Sequence, residues 1–315
     1  MRVKDLWPLL KEAANDWLED RAPRLGAALA FYTVFSLAPL LLIAIAVAGL
    51  FLGQTAAQDQ SAREIEGLVG EEGGRAVQSL LQQANKPGQG IAASILGVVM
   101  LLVGAAGLFV ELHDALNTIW GVRPRAGRGV WGFVKDRFLS FTMVLVMAFL
   151  LLVSLVLSAA LSALTHLISR WEFLYAGFCL NELVSLVVIA LLFMVIYRFL
   201  PDAKIAWRDV WLGAAVTAVL FEVGKFLIGL YLGRSGVAWA YGAAGSLAVL
   251  LIWLYYSAQI FLFGAELTKV YANRFGSRIV PAENAVPVSP EARAEQGLPP
   301  CKDNPARPET PAHAS

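Results

Sequence analysis

The sequence predicts an all-α fold: a polytopic membrane protein with six transmembrane helices and both termini on the cytoplasmic side. Three observations predict it. Of the 315 residues, 58% are hydrophobic and only 16% are charged, whereas an ordinary soluble domain carries about 25% charged residues. Apolar segments long enough to cross a hydrocarbon core about 30 Å thick recur along the chain. Lysine and arginine collect in alternate connections, as the positive-inside rule requires of cytoplasmic loops. The net charge of +1 gives no basic surface of the kind a nucleic-acid-binding domain needs, so no nucleic acid is expected as a partner.

Residues 1–276 read as the membrane domain. Its first stretch, MRVKDLWPLLKEAANDWLEDRAPRLG, is broken by charges throughout and has no apolar core ahead of a cleavage site, so it is not a signal peptide. Trp7, Leu10, Ala14 and Trp17 recur at helical spacing. They predict an amphipathic helix, either lying in the membrane interface or packed on the bundle.

The first span, Gly26 to Gly53, carries no charge. Pro39 removes a backbone donor within it and predicts a kink near Phe35 and Ser36. Tyr32 and Ser36 place hydroxyls close to that kink, where they either satisfy freed carbonyls or face a binding site. Residues 54–90 are polar and acidic with apolar positions at helical intervals, and they predict a helical cap outside the membrane. The second span, Ile91 to Val110, is rich in glycine.

Beyond it, Glu111, His113 and Asp114 stand together. One histidine beside two acids is the composition of a solvated helix end rather than of a metal centre, and no metal is expected there. The next connection holds Arg123, Arg125, Arg128, Lys135 and Arg137, with Trp131 and Phe133 among them. Beside a transmembrane helix, such a stretch anchors to anionic lipid headgroups in preference to single-stranded nucleic acid.

The third span runs from Phe138 to roughly Leu167. The fourth, Cys179 to Leu200, carries Asn181 and Glu182 near its outer end and stops at Pro201. The fifth, Val210 to Gly233, holds Glu222 and Lys225 in its middle. At about 1.5 Å per residue these lie about 18 and 22 Å into the bilayer, where each buried charge costs roughly 2.5–3.5 kcal/mol. Three readings stay open. The two form a structural ion pair that fixes helix register, they are a polar point on a substrate or ion route, or Lys225 snorkels outward. Ala215, Ala218, Gly229 and Gly233 share the face of Glu222, so that face is expected against protein and the leucines against lipid. Together with Tyr32, Ser36, Asn181 and Glu182, the pair makes up the candidate intramembrane polar site.

The sixth span, Ala238 to Ala265, ends at Glu266 and Lys269. Past Gly276 the chain turns to proline, alanine and glutamate, which predicts a disordered cytoplasmic tail over 277–315.

Four stretches resemble the YihY/virulence factor BrkB family of bacterial inner-membrane proteins: ALAFYTVFSLAPLLL (Ala28 to Leu42), ALNTIWGV (Ala115 to Val122), YRFLPDAKIAW (Tyr197 to Trp207) and YGAAGSLAVLLIWLYYSAQIFLFGAEL (Tyr241 to Leu267). The resemblance covers about Trp17 to Arg274. It implies a six-span protein of the bacterial cytoplasmic membrane. Members have carried the label of a tRNA-processing ribonuclease, and others have been linked to serum resistance or to export of envelope lipids. The residues speak against the ribonuclease: only His113, His166 and His313 are present, spread too widely to hold a metal or form an acid–base pair. No enzyme, catalytic residue or cofactor is therefore expected. The sequence reading is a membrane protein that transports or handles an envelope lipid or small solute. The alternative is a scaffold that docks envelope proteins.

Overall fold

The computed structural model describes residues 6–52, 66, 74–79, 107–125, 171–234 and 244–299. Most of these are helical. The elements are α1 (Leu6–Glu19), α2 (Ala22–Leu52), α3 (74–79), α4 (107–119), β1 (Val122–Pro124), α5 (Trp171–Phe199), β2 (Ala203–Lys204), α6 (Trp207–Arg234), α7 (Gly245–Phe275), β3 (Val280–Pro281), β4 (Ala285–Pro287) and α8 (Pro290–Glu295). Among the described residues, α7 and residues 207–228 of α6 are long and apolar enough to cross a membrane.

α7 is the central element, with α1, α2 and α6 packed against it and α5 packed on α6. The crossing of α6 and α7 is set by small residues facing hydroxyls. Gly213 lies against Thr268, Gly264 against Thr217, and Gly224 against Tyr256 and Ile260. Each threonine is kept from competing for solvent by donating to its own helix, Thr217 to the Gly213 carbonyl at 2.6 Å and Thr268 to that of Gly264 at 2.8 Å. α5 joins through Tyr197, fully buried, whose hydroxyl donates to the Phe261 carbonyl at 2.6 Å. A missing Cβ on one helix thus makes room for a bonded hydroxyl on the next, which is how helices associate closely where hydrophobic burial adds little.

α1 packs on the bundle. Leu9 and Ala13 are buried against Leu267 and Val270 of α7, and Trp7 is left exposed. The buried face is therefore centred one to two positions away from the Trp7–Leu10–Ala14–Trp17 stripe, because contact with α7 selects it. α2 is one helix through Pro39. Of the expected outer cap, the short α3 buries Ala76 and Val77 against Ala30, Leu250 and Leu254, so this piece packs on α2 and α7. The rest of that cap, outside Glu66, lies beyond the described residues.

The largest difference from expectation is at the C-terminus. Residues 277–299 are folded, and only 300–315 of the expected disordered tail lie outside the described residues. Composition misled because it weighs only the tail's own apolar content, whereas the tail's backbone finds partners elsewhere. β4 pairs antiparallel with β1 (Val122 opposite Pro287, Pro124 opposite Ala285), and β3 with β2 (Ala203 opposite Pro281). The prolines sit at the ends of these short edge pairings, where a ladder donor is dispensable. α8 starts at Ser289, whose hydroxyl accepts from the Ala292 amide at 3.2 Å with Pro290 at the first helical position. Gly121, at φ 63°, turns the chain from α4 into β1, and its carbonyl accepts the Val288 amide at 2.8 Å. The segment is a strap that ties together α1, the α4–β1 turn, the α5–α6 loop and the end of α7.

Candidate functional site

Glu222 and Lys225 are brought together as the spacing requires, with Lys225 Nζ 2.6 Å from Glu222 Oε2 and their side chains 25% and 19% exposed for lysine and acid respectively. Three residues along a helix put the two charges on neighbouring positions of one face. Lys225 faces a tight spot on α7 rather than a chamber, where Phe221, Lys225 and Ile228 meet Trp253, Tyr256, Ser257 and Ile260, and Glu222 lies on the side of α6 next to the exposed Val219, Val223 and Phe226. Phe221 and Trp253 touch edge to face at 6.1 Å. Glu222 Oε1 is buried without a hydrogen-bond partner. The protein-facing side of α6 is centred on Gly213, Ala214, Thr217, Ala218, Gly224 and Ile228. Ala218 lies on the expected small-residue face and Ala215 at its edge. Val219, Val223, Phe226, Leu227 and Leu230 are exposed.

The other sequence-predicted residues are not gathered around this pair. Ser36 is fully buried on α2 and donates to the Thr33 carbonyl at 3.1 Å, while Tyr32 is partly exposed against Gly107. Among the described residues no hydrogen bond or ion pair links either to Glu222 or Lys225. Asn181 and Glu182 lie on α5, and their side chains fall outside the described residues. Of the basic stretch, Arg123 and Arg125 are exposed beside β1, with the Arg125 amide donating to the Asn284 carbonyl at 3.0 Å. Arg128, Lys135 and Arg137 fall outside the described residues.

A second charged site was only half legible in the sequence. Glu266 and Lys269, noticed as the end of the last span, belong to a cluster built from four parts of the chain. Lys269 Nζ lies 2.9 Å from Glu266, 3.1 Å from Asp20 and 3.3 Å from Asp16. Arg293 of the strap pairs with Asp20. Asp20, Glu266 and Arg293 are all buried. Burial by itself would raise the Asp20 pKa, but Lys269 and Arg293 outweigh it and hold the carboxyl below its ordinary range. Asp16, Asp20, Lys269 and Arg293 line a cleft of about 340 Å³ between α1, α7, the α4–β1 turn and the strap, a volume in the range of small-ligand sites. Nothing in a one-dimensional pattern could bring Asp20 to Arg293, because their sequence separation is 273 residues.

His113 occupies a third polar junction. Its Nε2 is 3.4 Å from Asp202 and its Nδ1 3.6 Å from Asp114. Burial would lower its pKa, yet hydrogen bonds and charge from Asp114 and Asp202 prevail and push it up to about 9. Asn117 accepts the Asp202 amide at 2.9 Å. The group therefore fastens the loop after α5 to α4, a structural duty.

A family model described as virulence factor BrkB matches residues 13–288. A UPF0761 membrane protein of Ralstonia nicotianae is 32% identical over 256 residues, covering 79% of this chain and 55% of the relative. A UPF0761 membrane protein of Pseudomonas aeruginosa is 30% identical over 261 residues, covering 81% of this chain and 60% of the relative. One from Verminephrobacter eiseniae is 30% identical over 259 residues, with 79% and 59% covered. The chain thus spans less than two thirds of the length of these relatives. No solved structure matches it.

Proposed function

The chain belongs to the virulence factor BrkB family of membrane proteins, and from that premise we propose that it moves or handles an envelope lipid or a small solute in the bacterial inner membrane. The observation that carries this reading is the Glu222–Lys225 pair. It sits on a helix long and apolar enough to span, and one of its carboxylate oxygens is buried with no partner. A pair serving helix register alone gains most when every lone pair is satisfied, because an orphaned acceptor costs about 1–3 kcal/mol. An acceptor left open at membrane depth is one that a passing hydroxyl or ammonium group can use.

The topology we propose has six spans with both termini in the cytoplasm. It is supported by the meeting at one end of the bundle of four segments that each carry lysine or arginine: α1 with Lys11, the α4–β1 connection with Arg123, the α5–α6 loop with Lys204 and the strap with Arg278. At that end Arg123 and Arg125 are exposed, and we assign them, together with Arg128, Lys135 and Arg137, to anionic lipid headgroups.

The test is reconstitution into liposomes with a labelled phospholipid in one leaflet, or with a trapped small solute. Wild-type protein is expected to accelerate movement of one of them, and Glu222→Ala to lose that acceleration while remaining folded. Wild-type protein that moves neither, and that cross-links to one envelope protein in intact membranes, would leave the scaffold reading in its place.

A further inference from the structure

The cluster at the end of α7 contains more acid than base. Asp16, Asp20 and Glu266 surround Lys269, and Arg293 is the second cation. Fully ionised, three carboxylates would face two cations in a region where Glu266 is 0% and Asp20 2% exposed. The excess is localised. The Asp20 and Glu266 carboxyl groups share Lys269 Nζ, at 3.1 and 2.9 Å, and Glu266 Oε1 is buried with no donor. Two buried carboxylates crowded on one ammonium repel each other, and a proton on one of them removes both that repulsion and the orphaned oxygen.

We propose that this cluster is a protonation site, in which Glu266 holds one proton at neutral pH and donates it in a hydrogen bond to the Asp20 carboxylate.

Every element packed around the site is consistent with that count. α1 contributes Asp16, with Glu12 and Lys11 further out in the same cleft. The α1–α2 turn contributes Asp20, α7 itself Lys269, and the strap Arg293. α2 faces α7 with Gly26 and Ala30, and its Arg24 is exposed. α6 faces α7 with Gly213 and Thr217, and its Asp209 is engaged by the Ser277 amide at 2.9 Å and hydroxyl at 2.8 Å. Lys269 is the cation that pairs with Glu266. Asp20 is the member held ionised by Lys269 and Arg293, which leaves Glu266 as the member that carries the proton. The proton comes from bulk water through the cleft that Asp16, Asp20 and Lys269 line. Its removal would set two carboxylates against each other and push the α1–α2 turn away from α7. The inference goes beyond the transport reading and stands without it.

Infrared difference spectroscopy on the reconstituted full chain reads the site directly. A protonated buried-carboxyl C=O band that shifts on deuteration is expected from wild type at neutral pH, and Glu266→Gln is expected to lose it with its melting temperature unchanged. Absence of the band in wild type, or its persistence in E266Q, overturns the proposal. Should E266Q fail to fold, carboxyl-13C-labelled glutamate in wild-type protein answers the same question. One glutamate resonance that stays protonated through neutral pH supports the site, and complete ionisation of all of them overturns it.

Discussion

Single side chains in this protein are held by partners far away in sequence, and their titration and loss should report it. His113 is the clearest case for pH. Its pKa is raised from 6.5 to about 9, so the charged form is favoured by folding. The stabilisation is complete below about 6.5 and is lost as pH rises through about 9. Thermal unfolding of detergent-solubilised wild type and His113→Asn should therefore differ most at slightly acidic pH and converge in the alkaline range. A difference independent of pH would refute that role. Arg293 offers a second handle. Its guanidinium is the strap's hold on a buried carboxylate, and removing one partner of a buried pair costs roughly 3 kcal/mol or somewhat more. Because Asp20 keeps Lys269, Arg293→Ala should fall at the lower end of that range in denaturant or thermal melts. An unchanged melt would mean that the strap is not docked there in solution.

At the scale of elements, α6 and α7 cross where each helix lacks side chains and the other supplies hydroxyls. A Cβ added at Gly264 would overlap Thr217 and sit 2.6 Å from the Tyr197 hydroxyl. Overpacking typically costs about 1–3 kcal/mol, and here Gly264→Val should reach the top of that range because the neighbours are bonded and cannot turn away. Yield and melting temperature of the purified variant measure it; a native melt would show that the helices have room to separate. The same crossing shows what was readable beforehand. The two long apolar helices α6 and α7 were legible from apolar length, and the Glu222–Lys225 contact from a spacing of three. The rotation of α1 was not, since its face was chosen by Leu267 and Val270 on a helix some 250 residues away. Nor was the strap. Proline and low hydrophobicity in 277–299 describe a chain that cannot fold alone, and they carry no record of the open edges at β1 and β2 that receive it. Deleting the chain from Ser277 onward should therefore expose the α4–β1 and α5–α6 connections to protease in membranes, whereas intact protein resists cleavage there.

For the whole molecule, two of the charged sites among the described residues have different duties. At one end, α1, the α4–β1 turn, α7 and the strap meet around Asp20, Glu266, Lys269 and Arg293. Along α6, the Glu222–Lys225 pair leaves one carboxylate oxygen unused. The first joins several chain segments through Lys269 and Arg293 and reads as an anchor that also carries a proton. The second is sparsely bonded and is the working point of the function proposed above. Exchanging its charges separates a working point from a structural pair, because Glu222→Lys with Lys225→Glu restores the pairing but moves the open carboxylate along the helix. The rate at which reconstituted protein carries a labelled phospholipid or a trapped solute across a liposome bilayer is the measurement that decides. The account predicts transfer by wild type and none by the folded charge-exchanged protein. Equal transfer by both would contradict it.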